Sequence, residues 1–257
     1  METMTLKLTI QMERIKARIC PKHFENTTEF VEGYNKKILK IYKKKTEVER
    51  KIKNMLHCGT QRLETERLIL RRFTKEDAVA MYKNWASDNE VTKFLTWPTH
   101  SNIDVSKFVL EEWVNSYSDE KYYQWAIVLK ENGDEPIGSI SVVKINEDVS
   151  MVHIGYCIGR TWWKKGITSE AMGAVMDFFF DKVNVNRIEA RHDPRNPNSG
   201  KVMMKCGMKY EGTLRSSDRN NQGICDASYY SLLKSERKIP VCGTKDEKTV
   251  SFCGKEE

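Results

Sequence analysis

The sequence predicts an α/β domain with a mixed, mostly antiparallel central sheet flanked by helices, preceded by a helical extension. Runs rich in β-branched and aromatic residues, separated by turn residues, recur along the chain and are typical of consecutive strands. The run 151–158 is followed, after a short loop, by apolar residues three and four positions apart, which indicates a strand leading into a buried helix. The excess of basic residues is confined to the first 60 positions, which marks that segment as an extension.

Composition limits the classes of function. Residues 1–60 contain 14 basic and 7 acidic side chains, whereas residues 61–257 contain 29 of each, so the main domain has no global basic surface for nucleic acid. No apolar run has the length of a membrane span, and the charged N-terminus lacks the pattern of a signal peptide. The seven cysteines are odd in number and never in C-x-x-C spacing, which predicts reduced thiols, a cytoplasmic location and no metal site.

The extension, residues 1–60, carries a heptad-like pattern from residue 29 to residue 56. We favour a helix that packs on its own domain, and the alternatives are a short coiled-coil arm that forms a homodimer or a basic arm that rests on RNA. Met55 lies just before the main domain, so the working protein could also begin there. The tail, residues 237–257, is polar, and we expect it to be disordered. The seam of the heptad pattern is formed by Val31, Tyr34, Ile38, Ile41, Lys45, Val48, Ile52 and Met55.

The main domain, residues 61–236, begins with a predicted strand at 63–73. Thr74 predicts the N-cap of a helix at 75–85, and an aromatic-bearing loop at 91–101 separates this helix from the next. Further helices are predicted at 102–117, 166–182 and 198–206, and further strands at 122–130, 136–145, 150–158, 187–191, 208–214 and 226–234.

The loop between the strand 150–158 and the following helix has the features of an anion site. It contains two tryptophans, two lysines and Gly166, which directly precedes the helix. Free backbone N–H groups at a helix N-terminus, the helix dipole and a glycine that permits close approach together favour a phosphate. The Walker pattern requires two glycines around Gly-Lys-Ser/Thr, and the dinucleotide fingerprint requires three, so neither fits this loop.

The acetyl-CoA-binding loop of the GNAT acetyltransferases resembles the run Trp163-x-Lys165-Gly166-Ile167-x-Ser169-Glu170-Ala171. Within that family the chain is most similar to the RimJ/RimL-like branch of ribosomal-protein N-terminal acetyltransferases. The resemblance implies the GNAT fold and an N-acetyltransferase that uses acetyl-CoA. Three further segments match this branch in order and spacing, over about residues 61–236: L-E-T-E-R-L-I-L-R from 63, N-P-N-S from 196 with K-C-G-M from 205, and E-G-T-L-R from 211.

The resemblance also implies how acetyl-CoA binds. In the family, the strand before the loop splays from the next strand, and the pantetheine arm pairs with the exposed backbone. The family loop usually carries Gln or Arg where this chain has Trp163, and Gly or Ala where it has Thr168, so backbone N–H groups would hold the pyrophosphate. Asn196 matches an asparagine that contacts the pantetheine arm, and it also suits a helix cap. The implied cofactor-binding residues are Tyr156, Cys157, Ile158, Trp163, Lys164, Lys165, Gly166, Ile167, Thr168, Ser169 and Asn196.

Acetyl transfer requires a group that stabilises the departing thiolate and a route for the amine proton. Many family members stabilise the thiolate with a tyrosine at the position of Met203, which cannot donate a proton. Ser199 matches the serine that RimL-like members place near the sulfur. Asp218 and His153 are the candidate bases, Glu189 is a third, and a water that relays the proton is a further alternative.

The region between the first two helices helps to build the acceptor pocket in this family, so Phe94, Trp97 and His100 are candidate acceptor contacts. The implied reaction is direct transfer to a primary amine in a ternary complex, with a ribosomal-protein-like N-terminus as the favoured acceptor. The alternatives are a small amine, such as an antibiotic, polyamine or amino acid, and a non-catalytic acyl-CoA-binding protein. An open groove beside the 91–101 loop would favour a protein acceptor, and a closed pocket with carboxylates would favour a small amine.

Overall fold

The computed structural model describes residues 55–237, which contain one eight-stranded sheet. The strands are β1 (Leu63–Glu64), β2 (Leu68–Arg71), β3 (Gln124–Leu129), β4 (Pro136–Asn146), β5 (Met151–Ile158), β6 (Arg187–His192), β7 (Lys209–Asn220) and β8 (Gly223–Leu233). They lie in the order β1-β2-β3-β4-β5-β6-β8-β7, and every neighbouring pair is antiparallel except β5 and β6. The mixed, mostly antiparallel sheet expected from the sequence is therefore confirmed.

Helices flank the sheet on both faces. The α-helices are α1 (Ala78–Met81), α2 (Asn89–Thr92), α3 (Ile103–Ser116), α4 (Ile167–Phe178) and α5 (Pro197–Lys205). The helix α1 continues a 3-10 turn and runs on into a π-helical segment that ends at Ala86, so the helix expected at 75–85 is confirmed as a composite element. The helix α4 also runs on into a π-helical segment, Phe179–Val183.

Two hydrophobic clusters lie on opposite faces of the sheet. On the face covered by α4 and α5, Trp125 packs in edge-to-face geometry against Phe178 and Phe179, with ring centroids 5.7 and 6.1 Å apart. On the face covered by α1 and α3, Trp85 and Leu110 are fully buried. Alternate residues of β3 point to these two clusters, so both of its faces are covered and the whole strand is buried.

The first predicted strand, 63–73, is wrong as a single element. The chain turns back at Thr65, whose N–H donates to the Leu68 carbonyl while its hydroxyl accepts from the Leu68 N–H, both at 3.0 Å. β1 and β2 therefore pair with each other as a short hairpin. This turn carries the T-E-R part of the segment that resembled the family, and it contributes directly to the site described below.

The final hairpin is longer than expected. The sequence predicted strands at 208–214 and 226–234, whereas β7 continues to Asn220 and β8 begins at Gly223. The register shifts between Leu214 and Asp218, where Ser216 has a φ of 47°. A bulge of this kind re-aims the strand without ending it, and it is not visible in a pattern of alternating residues.

The structure adds residues 55–60 to the main domain. Met55 is buried in the core, and the Leu56 N–H donates to the Val183 carbonyl at 2.7 Å. The predicted helix does not extend over residues 55 and 56, which have no regular secondary structure. The remainder of the heptad pattern and the tail after residue 237 lie outside the described residues, so the expectations for them stay predictions. Among the helices within residues 55–237, none is long and apolar enough to cross a membrane.

Candidate active site

The strands β5 and β6 diverge after three paired residues. The parallel ladder joins Met151–His153 to Arg187–Glu189, and no other strand of the described chain pairs with the rest of this edge of β5. The Gly159 N–H donates to the Ile137 carbonyl at 2.9 Å, and this bond identifies which residues of β5 direct their backbone groups towards β4. By the alternation of an antiparallel ladder, the backbone groups of Tyr156 and Ile158 point away from β4 and those of Cys157 point towards it. The cleft between β5 and β6 thus exposes strand backbone that an extended ligand could pair with.

The loop after β5 ends in a helix N-terminus that opens beside this cleft. Gly166 adopts a left-handed conformation with a φ of 77° and directly precedes α4. The N–H groups of Ile167, Thr168 and Ser169 lie in the first turn, where a helix supplies no intrahelical acceptor. The Ile167 side chain is buried in the core, so only its backbone is available to a ligand. These groups and the helix dipole form an anion-binding arrangement.

A network of hydrogen bonds holds this loop in place from the β1–β2 turn. The Glu170 carboxylate accepts from the Thr65 hydroxyl at 2.5 Å, from the Arg67 N–H at 3.1 Å and from the Arg67 Nε at 2.7 Å. Arg67 Nη1 also donates to the Lys165 carbonyl at 3.2 Å. Burial opposes the charge of Glu170, but the bonds from Thr65 and Arg67 outweigh it and lower the pKa of that carboxyl. Glu170 is therefore a fixed anion that anchors the loop.

Cationic and aromatic side chains complete the rim of the loop. Lys164 and Lys165 are exposed, and a Cβ added at Gly166 would lie 3.3 Å from Lys205 Nζ, so α5 contributes a third ammonium. The Trp163 indole N–H donates to the Ile158 carbonyl at 2.9 Å and closes the end of β5. The free strand edge, the helix N-terminus and these ammonium groups fit an elongated ligand that carries phosphates, such as acetyl-CoA.

The other side of the cleft is formed by the first turn of α5. The Tyr156 hydroxyl donates to the Ser199 carbonyl at 2.9 Å and lies 3.0 Å from Ser199 Oγ. Asn196 occupies the N-cap position, but its side chain makes no capping bond, so its amide is not used to begin the helix. Met203 is fully buried in the core and offers the cleft no proton donor. The Ser199 hydroxyl is thus held at the helix end that faces β5.

Neither cysteine beside the cleft has the character of a nucleophile. Burial raises the pKa of the Cys206 thiol to about 12, and its Sγ donates to the Ser169 carbonyl at 3.4 Å. Burial also raises the pKa of Cys157, whose Sγ lies 3.4 Å from Ser139 Oγ. Because the thiolate is the reactive form, both thiols are unreactive near neutral pH.

His153 and Asp218 lie in one charge cluster with Glu189 and Arg191. Arg191 Nε and Nη2 both bond the Asp218 carboxylate, and His153 Nδ1 lies 3.7 Å from Glu189 Oε2. Burial and the positive charge of Arg191 lower the pKa of His153 to about 4. Burial raises the pKa of Asp218, but hydrogen bonds from Arg191 and the Arg219 N–H outweigh it and lower that pKa. The cluster brings the two candidate bases together and leaves both weakly basic.

The loop that carries Phe94 and Trp97 is fastened to the β7–β8 turn. Asn221 Nδ2 donates to the carbonyls of Thr92 and Trp97 at 2.9 and 2.8 Å, and the Asn221 N–H donates to the Leu95 carbonyl at 3.1 Å. A surface cavity of about 580 Å³ opens at this junction. It is lined by Thr96, Arg219, Asn220, Asn221 and Gly223.

The three candidate acceptor contacts on this loop occupy different environments. His100 is buried, its Nδ1 lies 2.8 Å from Ser106 Oγ, and burial lowers its pKa. Trp97 packs against His100 and the cluster beneath α1. Phe94 is half-buried, and the Lys93 ammonium lies over its ring. Phe94 and Trp97 remain partly accessible, whereas His100 positions the loop.

Sequence reasoning missed the roles of four residues that shape this site. Thr65, Arg67 and Glu170 all lay in segments that resembled the family, but no local pattern shows that the two segments bond to each other. Asn221 gave only the signal of an Asn-containing turn between two strands. Each of these side chains contacts a group that is remote in sequence.

The chain is similar to known proteins in both sequence and fold. A family model described as "Acetyltransferase (GNAT) domain" matches residues 67–209. The uncharacterized N-acetyltransferase p20 of Bacillus licheniformis is 35% identical over 175 residues, which cover 68% of this chain and 97% of that protein. The ribosomal-protein-serine acetyltransferase of Escherichia coli is 27% identical over 112 residues, which cover 44% of this chain and 62% of that protein. A solved structure of RimL, a ribosomal L7/L12 alpha-N-protein acetyltransferase in complex with coenzyme A, superposes with a TM-score of 0.61 at 16% identity, over 67% of this chain and 98% of that one.

Proposed function

Since the chain belongs to the GNAT acetyltransferase family, we propose that it transfers the acetyl group of acetyl-CoA to the N-terminal amine of a protein. The observation that carries this choice of acceptor is the cavity between the β7–β8 turn and the loop that carries Phe94 and Trp97. It is lined by exposed and half-exposed residues except for Asn220, and it contains no carboxylate. A polypeptide chain can enter such an open cavity, whereas a site for a small cationic amine needs acidic side chains around the ligand.

The names of two similar proteins support a protein acceptor. The E. coli relative is a ribosomal-protein-serine acetyltransferase, and the RimL structure is that of an alpha-N-protein acetyltransferase. The identity to both is low, so this support is secondary to the open cavity. A cytoplasmic location, which suits buried thiols in their reduced form, belongs to the same proposal. A homodimer formed through the heptad pattern of the extension stays the alternative to a helix that packs on its own domain.

In the proposed complex, the chain binds acetyl-CoA along the splayed edge of β5. The backbone groups of Tyr156 and the N–H of Ile158 pair with the pantetheine arm, and the Asn196 amide adds a further polar contact. The N–H groups from Ile167 to Ser169 bind the pyrophosphate, with Lys164 and Lys165 at the rim. When bound, acetyl-CoA supplies a thioester whose carbonyl carbon is open to attack by an amine.

Transfer then needs no covalent bond to the protein. The amine nitrogen forms a bond to the acetyl carbon, the carbon–sulfur bond breaks with its electron pair left on sulfur, and the amine proton leaves to water. The Ser199 hydroxyl donates a hydrogen bond to the sulfur as negative charge develops there. Because the pKa values of His153 and Asp218 are lowered, neither group is matched to hold the amine proton near neutral pH, and in the proposed reaction this proton passes through water to the solvent.

The proposal is tested in two stages. Titration calorimetry of acetyl-CoA and of CoA into the full-length protein should show one-site binding of both. Turnover is then measured with peptides that begin with serine or alanine and with spermidine, kanamycin and free amino acids. We expect acetylation of peptide α-amines, located by mass spectrometry of the products. Turnover of spermidine or kanamycin, with every peptide inert, would replace the protein acceptor with a small amine.

A further inference from the structure

We propose that Tyr156 positions the Ser199 hydroxyl and strengthens its hydrogen bond to the thiolate of CoA. This role rests on the proposed function, because it assumes that Ser199 is the group that faces the sulfur. Tyr156 lies on β5 and Ser199 lies in the first turn of α5, so the pair joins the two walls of the cleft. At the position of Met203, which has no donor, many family members carry a tyrosine that donates to the sulfur. In this chain, the tyrosine hydroxyl beside Ser199 is that of Tyr156.

The geometry gives each hydroxyl a defined partner. The Tyr156 O–H donates to the Ser199 backbone carbonyl at 2.9 Å, and the two hydroxyl oxygens are 3.0 Å apart. Since the phenol proton is engaged with the carbonyl, the Ser199 O–H donates to the phenol oxygen in the resting state. A serine hydroxyl on a helix otherwise turns freely among rotamers, so this bond fixes where Oγ lies.

The same contacts permit a second arrangement once charge develops on sulfur. The Ser199 O–H turns to the sulfur, and the Tyr156 O–H turns from the carbonyl to Ser199 Oγ, 3.0 Å away. The Ser199 carbonyl is left with the main-chain N–H that α5 provides. No proton changes its covalent partner, because each oxygen keeps its own hydrogen. The two hydroxyls form a chain in which each hydrogen bond polarises the next.

Burial suits Tyr156 to this role. Its ring is half-buried and packs against the hydrophobic core, and the burial of its hydroxyl raises the pKa of Tyr156 far above neutral pH, so it remains a hydrogen-bond donor throughout the working range. Removal of the hydroxyl alone, in Tyr156→Phe, leaves the packed ring in place. Ser199→Ala leaves the bond from Tyr156 to the Ser199 carbonyl intact. Because Ser199 is only half-buried, this second variant tests the pair without altering a side chain that packs against the core.

The experiment measures the pKa of the thiol of bound CoA by the ultraviolet absorbance of the thiolate during a pH titration. The proteins are the full-length wild type, Tyr156→Phe, Ser199→Ala and the double variant. Tyr117→Phe is the matched control, because the Tyr117 hydroxyl also bridges backbone groups, of Phe73 and Gln124, away from this cleft. We expect a lowered thiol pKa on the wild type and the control, and a partial or complete return towards the free value in the other three.

The decisive comparison is the double-mutant cycle. If Tyr156 acts through Ser199, Tyr156→Phe lowers kcat about tenfold in the wild type and has little further effect in Ser199→Ala, with the KM for acetyl-CoA unchanged. The proposal would be overturned if Tyr156→Phe lowered kcat by the same factor in both backgrounds, or if neither substitution changed the pKa of the thiol of bound CoA. A wild type that shifts the thiol pKa through this pair but acetylates no peptide would support the pair and remove only the protein acceptor.

Discussion

The guanidinium of Arg67 lies 2.6 Å from the carboxylate of Glu170, a residue 103 positions later in the chain. Arg67 lies in the turn between the first two strands, and Glu170 lies in the first turn of α4. Because Arg67 also holds the Lys165 carbonyl, one side chain fixes both the loop and the helix that follows it. The two segments that resemble the family are therefore parts of one structure, the support of the phosphate-binding loop.

We expect Arg67→Ala to weaken the binding of acetyl-CoA. The substitution leaves Glu170 without its main cation and frees the Lys165 carbonyl, so the loop loses its fixed position. The pair is partly exposed, so the loss should be about 5- to 30-fold in Kd, which calorimetry can measure. Arg62→Ala is the control, because Arg62 forms an exposed ion pair with Glu64 in the same hairpin. Equal affinities for Arg67→Ala and the wild type would show that the loop holds its shape without this support.

Gly200→Ala should destabilise the domain. A Cβ at this position would lie 2.6 Å from His192 Nε2, a contact too short for the ring to remain where it is. We expect a loss of about 1–3 kcal/mol in the free energy of unfolding, measured with urea. Gly173→Ala in α4 is the matched control, because its Cβ would meet nothing within 4 Å and alanine favours a helix. A Gly200→Ala protein as stable as Gly173→Ala would mean that α5 shifts freely.

The stability of the domain should fall as the pH is lowered from about 6.5 towards 4. Burial lowers the pKa of His153 to about 4, so between this value and the pKa of an unfolded histidine the unfolded chain binds more protons. The contribution of His153 is therefore fully present above pH 6.5 and is lost by up to about 1.4 kcal/mol per pH unit below it. Urea unfolding at pH 7.5, 6 and 5 measures this slope. His153→Gln should flatten it, and an unchanged slope in this variant would assign the pH dependence to other groups.

Asn221→Ala should weaken the binding of a peptide acceptor without changing the binding of acetyl-CoA. The substitution removes the two bonds from Nδ2 to the Thr92 and Trp97 carbonyls, which fasten the loop beside the cavity. We expect the KM for a peptide acceptor to rise about tenfold, with the Kd for acetyl-CoA unchanged. Gln222→Ala is the neighbouring control, since the turn uses the backbone of Gln222 through its N–H. A peptide KM that is the same in both variants would show that the bonds from Asn221 to the loop do not affect acceptor binding.

Periodicity was enough to predict most of this fold. The strands at 136–146 and 151–158 and the helices at 103–116 and 197–205 agree with their predicted bounds to within a residue or two. Their burial follows alternation or helical spacing, which neighbouring residues determine. The predictions failed at the Thr65 turn and at the bulge after Leu214, because side-chain bonds and a shift in register decide those two features.

The sequence by itself determined the type of domain, the glycine before α4 and the residues that resemble a family, since each depends on residues close together in the chain. Only the tertiary structure decided that Arg67 supports Glu170, that Asn221 holds the loop of Phe94 and Trp97, and that His153 and Asp218 share Arg191. It also lowered the pKa values of Glu170, His153 and Asp218, because a pKa depends on burial and on the charges and hydrogen bonds brought close by folding. The chemistry of the cleft therefore depends on contacts between strands, turns and helices that are distant in the sequence.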